Sequence, residues 1–180
     1  VENWIIYRND LFAAKELSGA KVLCHRSAAQ RLGTGRSEPI VGHGPMGAFI
    51  AAVCPKNFKA VAPDILVDDD FSLEEYGMEG AVVHGPGHTS GSLMIVLSSG
   101  EVLVGDQVRG VNAELSLGQF CEDRSLALES LQRVIRPTTG VIYMSHGTQT
   151  DVRNLAGFIG EQNAPSGAAR TSSGTTKGLF

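Results

Sequence analysis

His84-Gly-Pro-Gly-His-Thr-Ser-Gly-Ser92 places three glycines, a proline and two histidines in nine residues. Glycine weakens helix and strand alike through its entropy, and proline removes a backbone donor, so the stretch reads as a tight loop. Its flanks give it a setting. Gly80 to His84 before it and Leu93 to Leu97 after it are short apolar runs of strand character. Val102 to Val104 is another, and Ser98-Ser99-Gly100 supplies a hairpin turn between the last two.

Toward the C-terminus, Leu128, Leu131 and Ile135 recur at helical spacing within Asp123 to Ile135, with Ala127 and Val134 beside them. Pro137 and Gly140 close that helix. Val141 to Met144 is a last strand and Asp151 to Ile159 a last helix. Toward the N-terminus, Asn3 to Tyr7 reads as a strand, Asn9-Asp10 as a cap for a helix through Leu17, Gly19 as its stop, and Lys21 to Cys24 as a second strand. Between Ala28 and Pro63 the pattern is poor, and Met46 to Val53, bounded by Pro45 and Pro55, is a helix candidate. Strands interleaved with helices give a layered α/β (α+β) class.

With 180 residues and 42% hydrophobic content the chain suits one domain, residues 1–162. From Asn163 to Phe180 the composition turns to Gly, Ser, Thr, Ala and Pro, which predicts a flexible tail, 163–180, outside the core. The net charge is −4 and the 15 basic residues form no cluster, which leaves no electrostatic footprint for nucleic acid or an anionic membrane. Small-molecule chemistry or protein contact is expected instead. No run approaches ~18 apolar residues and the first twenty lack a basic start with an apolar core, so the chain reads as cytoplasmic. Cys24, Cys54 and Cys121 lie far apart without a Cys-x-x-Cys pair and read as buried free thiols.

Chemistry gathers at strand ends. His88 follows the strand ending at His84, Asp106 the strand ending at Val104, and His146 the strand ending at Met144, each beside a glycine. Loops at strand ends are where a rigid sheet can bring residues distant in sequence together. Imidazole with carboxylate suits zinc, iron or manganese. Each residue alone is ordinary turn chemistry; the ordered set of three is informative.

Pro86-Gly-His-Thr-Ser-Gly-Ser92, then Val102-Leu-Val-Gly-Asp106, then Tyr143-Met-Ser-His-Gly147 resembles the second half of the metallo-β-lactamase superfamily. The resemblance implies an αββα sandwich with a one- or two-metal site at the sheet edge and hydrolysis of esters, thioesters, lactams or phosphoesters. It implies that His88 binds a first metal, that Asp106 bridges two metals, and that His146 binds the second. The family's His-x-His-x-Asp-His signature is altered here, its four ligand positions falling on Ile5, Tyr7, Asn9 and Asp10. Ile5 has no donor, and Tyr7 must lose a proton of pKa about 10. A reduced, mononuclear site of Asp10, Asp106, His146 and His88 is then expected, with one zinc, iron or manganese ion at most, or none. Asn9 stands where the family has a proton-accepting carboxylate, and a carboxamide is no base.

The resemblance implies two readings of function. One is a hydrolase-like protein acting on an ester- or thioester-like small molecule. The other is a non-catalytic, metal-free binding or interaction protein. The family also carries strands before its His-rich motif, so the sandwich is expected to be incomplete on its N-terminal side, with a homodimer covering the exposed sheet.

Other signals are weaker. Gly42-His-Gly-Pro-Met-Gly47 fits a dinucleotide fingerprint but follows no clean strand. Gly87 to Gly91 has Thr89 where a nucleophile elbow needs serine. His25 and His43 have no ligand partners by spacing, His84 reads as surface or as a support behind nearby His88, and Asp68-Asp-Asp70 as a solvated turn without the spacing of a calcium loop.

Overall fold

A computed structural model describes residues 8–37, 42, 44–53, 57–111, 114–118 and 120–164, without the side chains of 8–10, 46, 50 and 111. The chain opens with α1 (Arg8–Ser18), which stops at Gly19, whose N–H bonds back to the Lys15 carbonyl at 2.9 Å. Asn9 and Asp10 lie inside its first turn and not at its cap, because the helix starts at Arg8. The strand expected over Asn3 to Tyr7 falls outside the described residues, as does His43.

β1 (Leu23–His25) pairs in parallel with β2 (Ile65–Val67). Asp64 fastens this pair, accepting Val22 N–H at 2.8 Å and the Lys15 ammonium at 2.7 Å, and the Lys15 hydrogen bond holds its carboxyl below the usual range. Between these strands come α2 (Arg26–Thr34), which the sequence did not signal, and α3 (Gly44–Val53), which it did. Pro45 is the second residue of α3, a position where the missing N–H costs nothing.

The main sheet has six strands: β3 (Phe71–Ser72), β4 (Gly80–His84), β5 (Leu93–Leu97), β6 (Val102–Gly105), β9 (Val141–Met144) and β10 (Thr150–Asp151). Their spatial order is β10-β9-β6-β5-β4-β3, antiparallel throughout except for the parallel β6–β9 pair. A hairpin, β7 (Arg109–Val111) with β8 (Glu114–Ser116), and α4 (Arg124–Arg133) make the crossover from β6 to β9. α5 (Val152–Asn163) follows the last strand and runs past the expected end at Ile159; residues 165–180 of the expected tail fall outside the description.

One face of this sheet builds the core. Val83, Met94, Val96, Val102, Val104 and Ile142 point to α4 and α5, where Ala127, Leu131, Val134, Leu155 and Ile159 meet them. The caps fit the sequence: Asp123 accepts Leu126 N–H at the start of α4, and Asp151 accepts Arg153 and Asn154 N–H at the start of α5. The opposite face carries a cross-strand row in register, Phe71, Val82, Ile95, Leu103 and Tyr143. That row is buried at Val82 but open at Leu103 and Tyr143, which are 39% and 42% exposed. Cys24 and Cys121 are buried thiols outside any disulfide, as expected, while Cys54 lies outside the described residues. No helix among the described residues is long and apolar enough to cross a membrane.

Candidate metal centre

The sheet topology explains why three distant residues share one edge. β4 is antiparallel to β5 and β5 to β6, so β4 and β6 run the same way, and β9 is parallel to β6. The C-terminal ends of β4, β6 and β9 therefore lie together, and His88, Asp106 and His146 each follow one of them.

The loop from His84 to Ser92 is fixed carbonyl by carbonyl. Arg133 donates to His84 O at 2.5 Å, Gln107 Nε2 to Gly85 O, and Ser130 Oγ to Pro86 O at 2.7 Å. Gly87 O accepts from Asp123 N at 2.8 Å and Cys121 Sγ at 3.3 Å, and His88 O from Glu122 N at 3.1 Å. The Thr89 N–H donates to Ser92 Oγ at 3.0 Å, the local bond expected of this Thr/Ser pair. Gly87 has φ +136°, and a Cβ there would stand 2.3 Å from Ala127 Cα, so no other residue fits against α4. At the third strand end, Gly147 (φ +99°) lets the chain approach Gly110, whose N–H donates to His146 O at 3.1 Å.

Against this fixed backbone, the side chains at the site are under-satisfied. His88 is 5% exposed, and neither Nδ1 nor Nε2 has a hydrogen-bond partner among the described residues. Asp106 Oδ2 is buried and likewise without a partner, while Oδ1 lies 2.8 Å from His146 Nδ1. Burial lowers the His88 pKa, the Asp106 carboxylate opposes that shift, and His146 adds to it, so His88 presents a neutral ring. A neutral imidazole carries one lone-pair nitrogen. A lone pair and a carboxylate oxygen thus stand with no donor beside one cavity of ≈ 30 Å³, lined by His88, Asp106, Ser92, Leu93 and Val104. Each buried polar atom left unpaired costs about 1–3 kcal/mol, and the cavity has room for a single small ion. A histidine lone pair and a carboxylate oxygen are donors of the kind a divalent cation takes.

Of the four residues expected from the sequence, His88 and Asp106 line the same cavity, and His146 joins through Asp106 from a more exposed position, its side chain 57% accessible. Asp10 lies in α1, but its side chain falls outside the described residues, as do Ile5 and Tyr7 entirely. Among the described residues no three His, Cys, Asp or Glu side chains converge as a metal-binding group.

Two neighbouring features were not legible beforehand. His84 is no plain surface residue: its ring stacks on His25 with centroids 3.8 Å apart, and its Nε2 meets Ser90 O at 3.0 Å. The acidic triplet is exposed, as a solvated turn should be, and two of its carboxylates are also paired. Asp68 holds Arg26 at 2.6 Å, and Asp70 holds Arg133 at 3.0 Å while accepting His84 N–H.

An archaeal metallo-β-lactamase superfamily protein from Sulfolobus tokodaii superposes with a TM-score of 0.61 at 15% identity, covering 91% of this chain and 66% of its own. The B3 metallo-β-lactamase BLEG-1 gives 0.60 at 16% identity, over 87% and 71% of the two chains. The chain has the metallo-β-lactamase fold. A metallo-β-lactamase from Pontibacter korlensis agrees at a TM-score of 0.56 and 21% identity, over 85% of this chain and 63% of that one. No protein-family model and no curated protein matches the sequence, so the likeness is one of three-dimensional structure. This chain spans about two thirds of the length of those metallo-β-lactamase-fold structures. The sandwich expected from the sequence is the observed architecture, but its second sheet, among the described residues, is the two-stranded β1–β2 pair.

Proposed function

We propose that this chain is a hydrolase-like protein of the metallo-β-lactamase fold with a reduced, single-ion site that acts on an ester- or thioester-like small molecule. His88 and Asp106 would hold one zinc, iron or manganese ion, with His146 and Asp10 completing the set. The observation that carries the reading is the pairing of a braced loop with unpartnered donors: His88, whose two ring nitrogens have no partner among the described residues, and Asp106, whose Oδ2 has none, line one small cavity while the loop carbonyls from His84 to Ser90 are engaged.

When bound, the ion would supply Lewis-acid polarisation of the substrate carbonyl. The chain's own residues have separate tasks. Neutral His88 offers a lone pair without competing protonation, and Asp106 supplies the negative charge. The His146 bond fixes Asp106 Oδ1 and so aims Oδ2 inward. Asn9, in place of a carboxylate, removes the usual proton acceptor and predicts slow turnover. A homodimer would cover the open Leu103–Tyr143 end of the sheet face.

The test is hydrolysis of a panel of activated esters and thioesters by protein loaded with zinc, manganese or iron. Turnover above background that Asp106→Ala abolishes is expected. Metal-loaded protein with no turnover on any member would favour a binding role.

A second reading has its own observation. The 2.8 Å His146–Asp106 bond already gives one carboxylate oxygen a protein partner, as a loop brace in a non-catalytic binding protein would. Brace and ligand roles differ in what happens when the charge on Asp106 is removed, as argued below.

A further inference from the structure

We infer that Gln107 is a positioning residue that ties His88 to Asp106 and so sets the geometry of the cation site; the inference rests on the reading of those two residues as donors. Gln107 is 1% exposed and follows Asp106 directly in the chain. Its Oε1 accepts the His88 backbone N–H at 3.2 Å, and its Nε2 donates to the Gly85 carbonyl. One planar amide therefore spans the loop on both sides of Pro86-Gly87.

The chemistry of that amide is specific. It acts as acceptor at one end and donor at the other without depending on protonation, which no other side chain of its length does. Methionine offers neither. An ionised glutamate accepts from His88 but sets a negative oxygen against the Gly85 carbonyl.

The location is equally specific. The other anchors of the loop carbonyls from His84 to His88, Arg133, Ser130 and residues 121–123, come from α4 and the segment before it. Among these anchors Gln107 alone shares a peptide bond with Asp106, so the relative placement of the two donors runs through its side chain. Groups that orient metal ligands without touching the metal typically set affinity by 10–100-fold.

Cobalt(II) is the probe, added to the full chain of wild type, Gln107→Met and Gln107→Glu. Binding is read by equilibrium dialysis and visible absorption, with thermal unfolding alongside. Leu155→Ala, a core truncation in α5, serves as a destabilised control. Wild type and the control should show one absorption spectrum at about one equivalent, whereas both Gln107 variants should bind about 10–100-fold more weakly with an altered spectrum while still folded. In the metal-free protein the His88 amide proton should exchange faster in Gln107→Met than in wild type. Folded variants with wild-type affinity and spectrum would overturn the role of Gln107 and leave the cation reading standing. Absence of cobalt from wild type would overturn the cation reading and the positioning role together. If both variants fail to fold, Gln107 is a structural residue and the inference is wrong.

Discussion

His146 Nδ1 lies 2.8 Å from Asp106 Oδ1, across 40 residues of sequence. The parallel β6–β9 pair brings them together, and their unequal exposure gives them different work: Asp106 is 8% accessible in its side chain, His146 57%. The buried carboxylate keeps one oxygen for the histidine and one for the cavity.

That arrangement predicts a cost in the metal-free protein. Asp106→Asn removes a buried charge whose Oδ2 has no partner, while an amide oxygen can still accept from His146. Metal-free Asp106→Asn should be more stable than wild type, on the order of 1 kcal/mol, and should gain no thermal stability from added zinc. Paired thermal melts with and without metal decide it. A lower melting temperature for the variant would support the brace reading instead.

His88 gives a pH signature in the metal-free protein. Its folded pKa lies below the unfolded value of ~6.5, because burial opposes charging. The unfolded chain then binds the proton more readily. The stability that neutral His88 confers is full above the unfolded pKa and is lost as pH falls toward the folded one. Urea titrations between pH 7.5 and 5 should show wild type losing more stability than His88→Gln; equal losses would contradict the burial argument.

Gly87 is predicted to be irreplaceable. Gly87→Ala adds a Cβ 2.3 Å from backbone atoms of Ala127 at φ +136°. Backbone strain of this kind costs on the order of 1–3 kcal/mol before any displacement of α4. Chemical denaturation should register at least that loss, together with weakened metal uptake; a loss under ~0.5 kcal/mol, the range of ordinary surface changes, would mean that the loop does not press on the helix.

Leu131 tests the core beneath the site. It is fully buried between α4 and the sheet, so Leu131→Ala should cost about 2–5 kcal/mol, measured by urea unfolding. A smaller effect would indicate that α4 does not seal the sheet as described.

Legibility in the sequence followed burial. Gly80–His84, Leu93–Leu97 and Val141–Met144 are strands with the limits their apolar runs suggested, since each has neighbours on both sides in the sheet and is bounded by turn residues. α2 was missed because only Ala28 and Arg31 of its nine residues are buried and its cap is His25, whose ring accepts Ser27 N–H in place of the usual Ser, Thr, Asp or Asn oxygen. β3 and β10, of two residues each, are defined by their partners and leave no period to read. At the site, strand ends beside glycines pointed to His88, Asp106 and His146. Gln107 carried no such mark, because a lone glutamine after a Gly-Asp turn reads as solvent-facing until the loop folds over it. The His25–His84 stack and the Asp68 and Asp70 clamps likewise depend on contacts between distant segments.

The central claim is that His88 and Asp106, with His146 and Asp10 completing the set, hold a single ion. Its most direct test is the metal content of the protein after loading with zinc, manganese or iron and exhaustive dialysis, measured by mass spectrometry beside Asp106→Ala. About one equivalent retained by wild type, and almost none by the variant, is the predicted result. Well under one equivalent on wild type with all three metals would contradict it.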